Sequence, residues 1–331
     1  MFAPVDDFPH PVPPQAFMTW KENWVFPALD RDQRVALLFH FSLRPAQGEG
    51  ILSAKFTVQG HEFRYVGRNP VPKDLSTFHP VTDGRLTLTV LEPAKRQRVT
   101  YTGPDIDVDV VFTGRFAKPF DYADGVRTPS ASVLGEIGET VFPFHHFEQG
   151  MEFEGTVTVK EGELAGQTLH VSGWGNRDHS WGFRDDFQFR YHHWVCASFS
   201  DRYVQGTVMR ETSYPAPKPG GFVASEAGNV AVLDVDTSEA YWLTPNEPLP
   251  ALDKDVRYVV RTVDGQTHTV TAHISEPYGA LHLNARAPER DQAYQDVQIF
   301  CDYTLEETGE RGTGVLELGK HLHGPGIADT V

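Results

Sequence analysis

The chain has 331 residues, 40% hydrophobic and 12% aromatic, which describes a globular protein of about two domains rather than a disordered one. Its 45 acids against 29 bases leave a formal charge of −16, which argues against nucleic acid and anionic membrane surfaces as partners. No run of about 18 apolar residues occurs, so no membrane-spanning helix is predicted. Cys196 and Cys301 are too few for a multi-thiolate metal site.

The opening "MFAPVDDFPHPVPPQ" has acids and prolines where a signal peptide needs a basic start and an apolar core, so a reduced, cytoplasmic protein is expected. Period-two alternation then dominates. "VALLFHFSL" (35–43) reads as a strand, and "ILSAKFTVQGHEFRYV" (51–66) as two strands about a tight Gln59-Gly60 turn. "VTDGRLTLTVLEP" (81–93) turns at Asp83-Gly84; "QRVTYTG" (97–103), "IDVDVVFTGRF" (106–116) and "MEFEGTVTV" (151–159) follow as strands. In the second half, "YVQGTVMRE" (203–211) and "NVAVLDVDT" (229–237) flank "YPAPKPGG" (214–221), which reads as a loop or bulge. "VRYVVRTVDGQTHTVTAHI" (256–274) is a hairpin about Asp264-Gly265, the strongest short hairpin signal, and "ALHLNARA" (280–287) and "DVQIFCDYTLEE" (296–307) complete the series.

Short strands punctuated by 29 glycines and 24 prolines, with no amphipathic helix longer than about two turns, specify an all-β protein. Each half holds roughly eight strands, enough to close an up-and-down barrel around one small ligand. The expected organisation is a lipocalin-like domain over residues 1–184 and a second over 185–331, with a pocket near their junction.

The segment "GWGNRDHSWGFRDD" (173–186) concentrates charge and tryptophan in an otherwise plain strand sequence. From Phe183 onward, alternation puts Phe183, Phe187, Phe189, Tyr191 and Val195 on one face, with Arg184, Asp186, Gln188, Arg190, His192 and Trp194 on the other. Glycines 173, 175 and 182 are expected to allow sharp turns and close packing, which would set the polar run at the mouth of an aromatic strand. Adjacent histidines on a strand face opposite sides, so His145-His146 and His192-His193 each offer one inward ligand at most. A site from His146, His179 and His193 with Glu148 lacks any H-x-H or HExxH spacing, and no metal is expected. Ser180 lacks the Gly-x-Ser-x-Gly elbow, and no glycine loop opens a helix for phosphate, so no nucleotide or other cofactor is expected.

"GWGNRDHSWGFRDD", preceded by "HHFEQGMEFEGTVTV" (145–159), resembles the two-lipocalin-domain superfamily of the carotenoid 1,2-hydratases (hydroxyneurosporene synthases, CrtC-like) and AttH-like proteins, which carry an Asp-His-x-Trp-Gly signature. "WKENWVF" (20–26) and "GTGVLELG" (312–319) are weaker points of likeness. The resemblance implies cofactor-independent acid catalysis at a C=C bond of a hydrophobic, isoprenoid-like substrate: hydration, dehydration, or cation rearrangement or cyclisation. On this reading Asp178 is the proton donor, kept neutral by burial, and His179 its hydrogen-bond partner or relay. Trp181, Phe187, Tyr191, His146 and Trp194 would line the substrate, with aromatic faces steadying a cation. Arg177, Arg184 and Glu148 would hold the domain junction. Arginine before Asp178 and serine after His179 depart from the carotenoid enzymes. Three alternatives stand beside this one: a non-catalytic carrier of an apolar ligand, a cavity-shaped pericyclase, and a purely structural ion-pair network at Asp178 and His179.

Overall fold

The computed structural model describes residues 2–116, 118–125, 134–137, 140–183, 189–211, 217–238, 254–274, 280–287 and 292–321. It is all-β, with two antiparallel sheets, each barrel-like. The chain divides into two compact units: Met1–Ala123 with Val133–Arg184, and Asp124–Ser132 with Asp185–Val331. No helix among the described residues is long and apolar enough to cross a membrane.

Unit 1 contains β1 (Trp20–Asp30), β2 (Val35–Arg44), β3 (Glu49–Val58), β4 (His61–Pro70), β5 (Val81–Thr82), β6 (Leu86–Glu92), β7 (Arg96–Thr102), β8 (Ile106–Gly114), β9 (Phe120–Asp121), β10 (Leu134–Ile137), β11 (Thr140–Val159) and β12 (Thr168–Phe183). The main path runs β4-β3-β2-β1-β12-β11-β8-β7-β6-β5, with β9 and β10 paired to β11. The sheet curls until its ends approach: Tyr65 donates to Asp83 Oδ2 (2.8 Å) and Asn69 Nδ2 to the Thr82 carbonyl (2.7 Å). Alternate residues of β2 fill the interior: Val35, Leu37, Phe39, Phe41 and Leu43. The β3–β4 hairpin turns on Gln59 (φ 50°) and Gly60 (φ 91°), the doubly left-handed two-residue loop that matches strand twist.

Unit 2 contains β13 (Phe189–Ser198), β14 (Arg202–Glu211), β15 (Lys218–Ser225), β16 (Gly228–Asp236), β17 (Lys254–Thr262), β18 (Thr267–Ile274), β19 (Ala280–Ala287), β20 (Gln292–Leu305) and β21 (Glu310–His321). Its order is β18-β17-β16-β15-β14-β13-β21-β20-β19, and an extra β18–β20 pairing closes the ring.

Three expectations change. Among the described residues the sheets have 12 and 9 strands rather than about eight each, and β11 and β12 run for 20 and 16 residues. The polar motif is not a turn at a strand mouth. Its described part, residues 173–183, lies inside β12, because Gly173 and Gly175 serve close approach: a Cβ at 175 would sit 2.4 Å from the Pro27 carbonyl oxygen of β1. Among the described residues of the motif, only Gly182 takes a left-handed φ, +119°. Finally, Lys218-Pro219-Gly220-Gly221 belongs to strand β15 rather than to a loop, its Pro219 opposite Val208. Cys196 and Cys301 are buried and form no disulfide. They pair with Val315 and Gly314 of the intervening β21, which puts them two strand spacings apart, about 9.5 Å and beyond disulfide reach.

Candidate active site

Strand β12 is held between β1 and β11, and its alternation decides the site. Arg177, His179 and Trp181 take one phase, toward the interior with Phe147; Asp178 and Ser180 take the other. Asp178 and His179 are therefore not partners, which corrects the expectation that one hands its proton through the other. Neighbours on a strand face opposite sides, and each finds a different partner.

His179 meets Glu22. In β1, Trp20, Glu22, Trp24 and Phe26 occupy successive inward positions, so one acid stands in a row of aromatics. The Glu22 carboxylate is fully buried and accepts three hydrogen bonds: His179 Nε2 at 3.0 Å and His10 Nδ1 at 2.8 Å on Oε1, and the His10 backbone N–H at 3.0 Å on Oε2. Burial by itself would raise its pKa, but the bonds from His10 and His179 outweigh this and hold the carboxyl below its ordinary range. Burial lowers the pKa of His179 despite the Glu22 bond, so its imidazole is neutral. The result is an anionic carboxylate orienting a neutral histidine, the arrangement that steadies an imidazolium if His179 takes a proton. Nδ1 of His179 is buried and has no hydrogen-bond partner among the described residues.

Aromatic rings wall this group. Trp24 stacks on His179 (4.2 Å, 19°) and Phe147 meets it edge-on (5.1 Å). Trp181 is not a bare face awaiting a cation: the imidazoles of His10 (3.9 Å, 9°) and His145 (5.0 Å, 12°) both stack on it. Its role is to seat His10.

Beside this group lies a second buried pair. Arg177 bonds Asp7 through Nη1 and Gln149 Oε1 through Nε (3.0 Å), and its guanidinium lies 4.9 Å from the centroid of the Phe147 ring. Asp7 also accepts from the Ala94 backbone N–H and from Gln97 Nε2. A charge pair this deep is tolerated because nearly every lone pair is used. Arg177 thus fastens the N-terminal segment within unit 1.

On the opposite phase Asp178 bonds His146 Nε2, which lies 3.4 Å from Glu148 Oε1; Tyr122 donates to that same oxygen (2.6 Å) and stacks on His146 (4.2 Å, 3°). Two groups, His10/Glu22/His179 and His146/Glu148/Asp178, bring metal-type ligand atoms within 4.8 Å of one another. The imagined trio of His146, His179 and His193 is not assembled. His146 and His179 take opposite phases, and His193 is buried in unit 2, where Nδ1 and the Tyr258 hydroxyl share a 3.0 Å hydrogen bond. Tyr191 and Trp194 are both buried on β13 of unit 2, at positions of opposite phase, with Tyr191 in that unit's core. Phe187 and Arg184 lie outside the described residues. Reading the sequence missed Glu22, His10 and Asp7. The available signal was a lone acid in phase with Trp20, Trp24 and Phe26.

These features define a class: an all-β protein of two barrel-like units, one carrying a buried histidine–carboxylate cluster in its aromatic interior. The chain belongs to the family described as Domain of unknown function (DUF7064), whose model matches residues 3–322. Its fold is that of kievitone hydratase from Nectria haematococca, at 10% identity and TM-score 0.60 over 96% of this chain and 92% of that one. It is also that of a putative AttH from Nitrosomonas europaea (12% identity, TM-score 0.56, 96% and 99% covered) and of CghA bound to Sch210972 (12%, 0.57, 93% and 92%). No curated protein matches it in sequence.

Proposed function

We propose that the protein is a cofactor-independent lyase or isomerase that moves a proton at a C=C bond, or the carbinol beside one, of a small apolar, isoprenoid-like molecule. The observation that carries this is the buried Glu22 carboxylate shared by two imidazoles in an aromatic interior. Such a cluster is costly to bury, and perturbed groups of this kind concentrate at functional sites. His179 takes a proton from the substrate, Glu22 stabilises the imidazolium formed, and the proton is returned at another atom. Return to carbon gives isomerisation; return to a departing hydroxyl gives water and an alkene, and the reverse is hydration. The shared fold with a hydratase supports this direction, and the Asp-His-x-Trp-Gly likeness supports an isoprenoid substrate. The proton-transfer role falls to His179 with Glu22 rather than to Asp178, whose carboxylate bonds His146.

The test is incubation with a panel of apolar alkenes and alkenols in D2O, read by mass spectrometry for deuterium uptake or gain or loss of water. His179→Gln and Glu22→Gln should each slow the reaction about 10²–10⁴-fold while melting temperature and ligand affinity hold. Undiminished turnover in both variants overturns the assignment. A ligand bound equally by all three proteins with no conversion makes the protein a carrier.

A further inference from the structure

The acid–base pair is buried, yet any proton it exchanges must come from and return to water. The N-terminal segment supplies a path. Asp6 is tied by Oδ2 to the Ala3 backbone N–H (2.7 Å), and its Oδ1 lies 3.7 Å from His10 Nε2. On its other side His10 reaches Glu22 Oε1 through Nδ1 (2.8 Å), and that same oxygen lies 3.0 Å from His179 Nε2. Side-chain exposure falls along the line, from 22% at Asp6 to 13% at His10, 0% at Glu22 and 1% at His179. An imidazole can take a proton on one nitrogen and release it from the other, and here the two nitrogens of His10 face the two ends of the line. His10 Nε2 is itself buried with no hydrogen-bond partner among the described residues, the open step toward Asp6.

We infer that His10 and Asp6 relay protons between solvent and the Glu22–His179 pair, an inference that rests on the acid–base reading of that pair. Outward transfer starts from the Nε2–H tautomer of His10, whose Nδ1 carries no proton: the His179 imidazolium releases its Nε2 proton to Glu22 Oε1, the Glu22 carboxyl passes it to His10 Nδ1, and the His10 Nε2 proton leaves to Asp6 and water. Inward transfer is the reverse, and each step moves one proton with no change of oxidation state. His10 and Asp6 are positioning residues in this scheme: they act through Glu22 and touch no substrate. The segment is held in place independently of the path, by Asp7 on Arg177, by Phe2 edge-on to Phe147 (4.7 Å) and by His10 stacked on Trp181.

The measurement is solvent exchange of the His179 Nε2–H, followed by NMR on histidine-labelled full-length protein. His10→Gln keeps a side chain that fills the opening and can donate to Glu22, but it cannot pass a proton, and exchange should slow about 10²-fold. A plain stopper predicts no slowing, because glutamine closes the same opening; equal or faster exchange overturns the relay. Should His10→Gln lower the melting temperature, Asp6→Asn leaves both histidines in place and should still slow exchange, by a smaller factor. No slowing there overturns the relay equally. His145→Gln, which also removes a ring from Trp181 but lies off the line, should leave the rate unchanged. Turnover with unaltered exchange in both relay variants removes the relay alone. Slowed exchange with no conversion of any alkene removes the catalytic reading and keeps the relay.

Discussion

The two units solve burial differently. Unit 1 carries full charges in its interior, Glu22 among imidazoles and Arg177 against Asp7, each held by several hydrogen bonds. The core of unit 2 is built on valines with neutral polar groups: Tyr303 donates to the Val315 carbonyl (3.0 Å), and Tyr258 meets His193. Burial drives the Tyr258 and Tyr303 pKa values well up and pushes His193 down to about 3, so all three stay uncharged. A β-barrel core needs no charge to be stable. Keeping the Glu22 and Arg177–Asp7 charges inside unit 1 costs their desolvation, which is why the proposed proton transfer is placed there.

This contrast can be broken most strongly in unit 2 by acid. The folded pKa of His193, about 3, lies below the ordinary 6.5. The unfolded chain therefore takes up that proton first, so the stability is full above about pH 6.5 and is lost as pH falls toward 3. The loss reaches about 4–5 kcal/mol from this one group at the acid end. Urea unfolding at pH 7 and pH 4 should show a gap about 3 kcal/mol wider in wild type than in His193→Gln. An equal gap in both would mean that the imidazole is not held neutral.

Next in size is the charge pair of unit 1. Arg177→Met leaves Asp7 buried without its cation and should cost about 3–5 kcal/mol in denaturant unfolding. Adding Asp7→Asn to it should return part of that loss, since two neutral side chains leave no isolated charge. A loss that the second substitution deepens would show that the pair is not the coupled unit the geometry describes.

The smallest effect sharpens the assignment within unit 1. Asp178 is partly exposed and bonds His146, so Asp178→Asn should cost about 1 kcal/mol or less. It should also leave turnover well short of the roughly 10²-fold loss that removal of a general acid brings. A loss of that size would move the chemistry to the Asp178 phase of β12.

The all-β class was legible because alternation is local: "VALLFHFSL" and the Gln59-Gly60 and Asp264-Gly265 hairpins carry their own periodicity and turn chemistry. Strand length was not, since a run such as Gly173–Gly182 reads as a break until β1 is seen lying against it, 2.4 Å from where a side chain at Gly175 would begin. That Asp178 and His179 take opposite phases followed only from β12 running unbroken through the motif, since the period of two applies to a continuous strand and not to a turn. Only the tertiary structure decided their partners. Glu22 and His179 stand 157 positions apart, and the N-terminal segment carries His10 to them across a distance no spacing rule encodes. Which acid shares a proton with which base is set by strand register and by the burial that raises the cost of leaving either unpaired, and both come into being when the sheet closes.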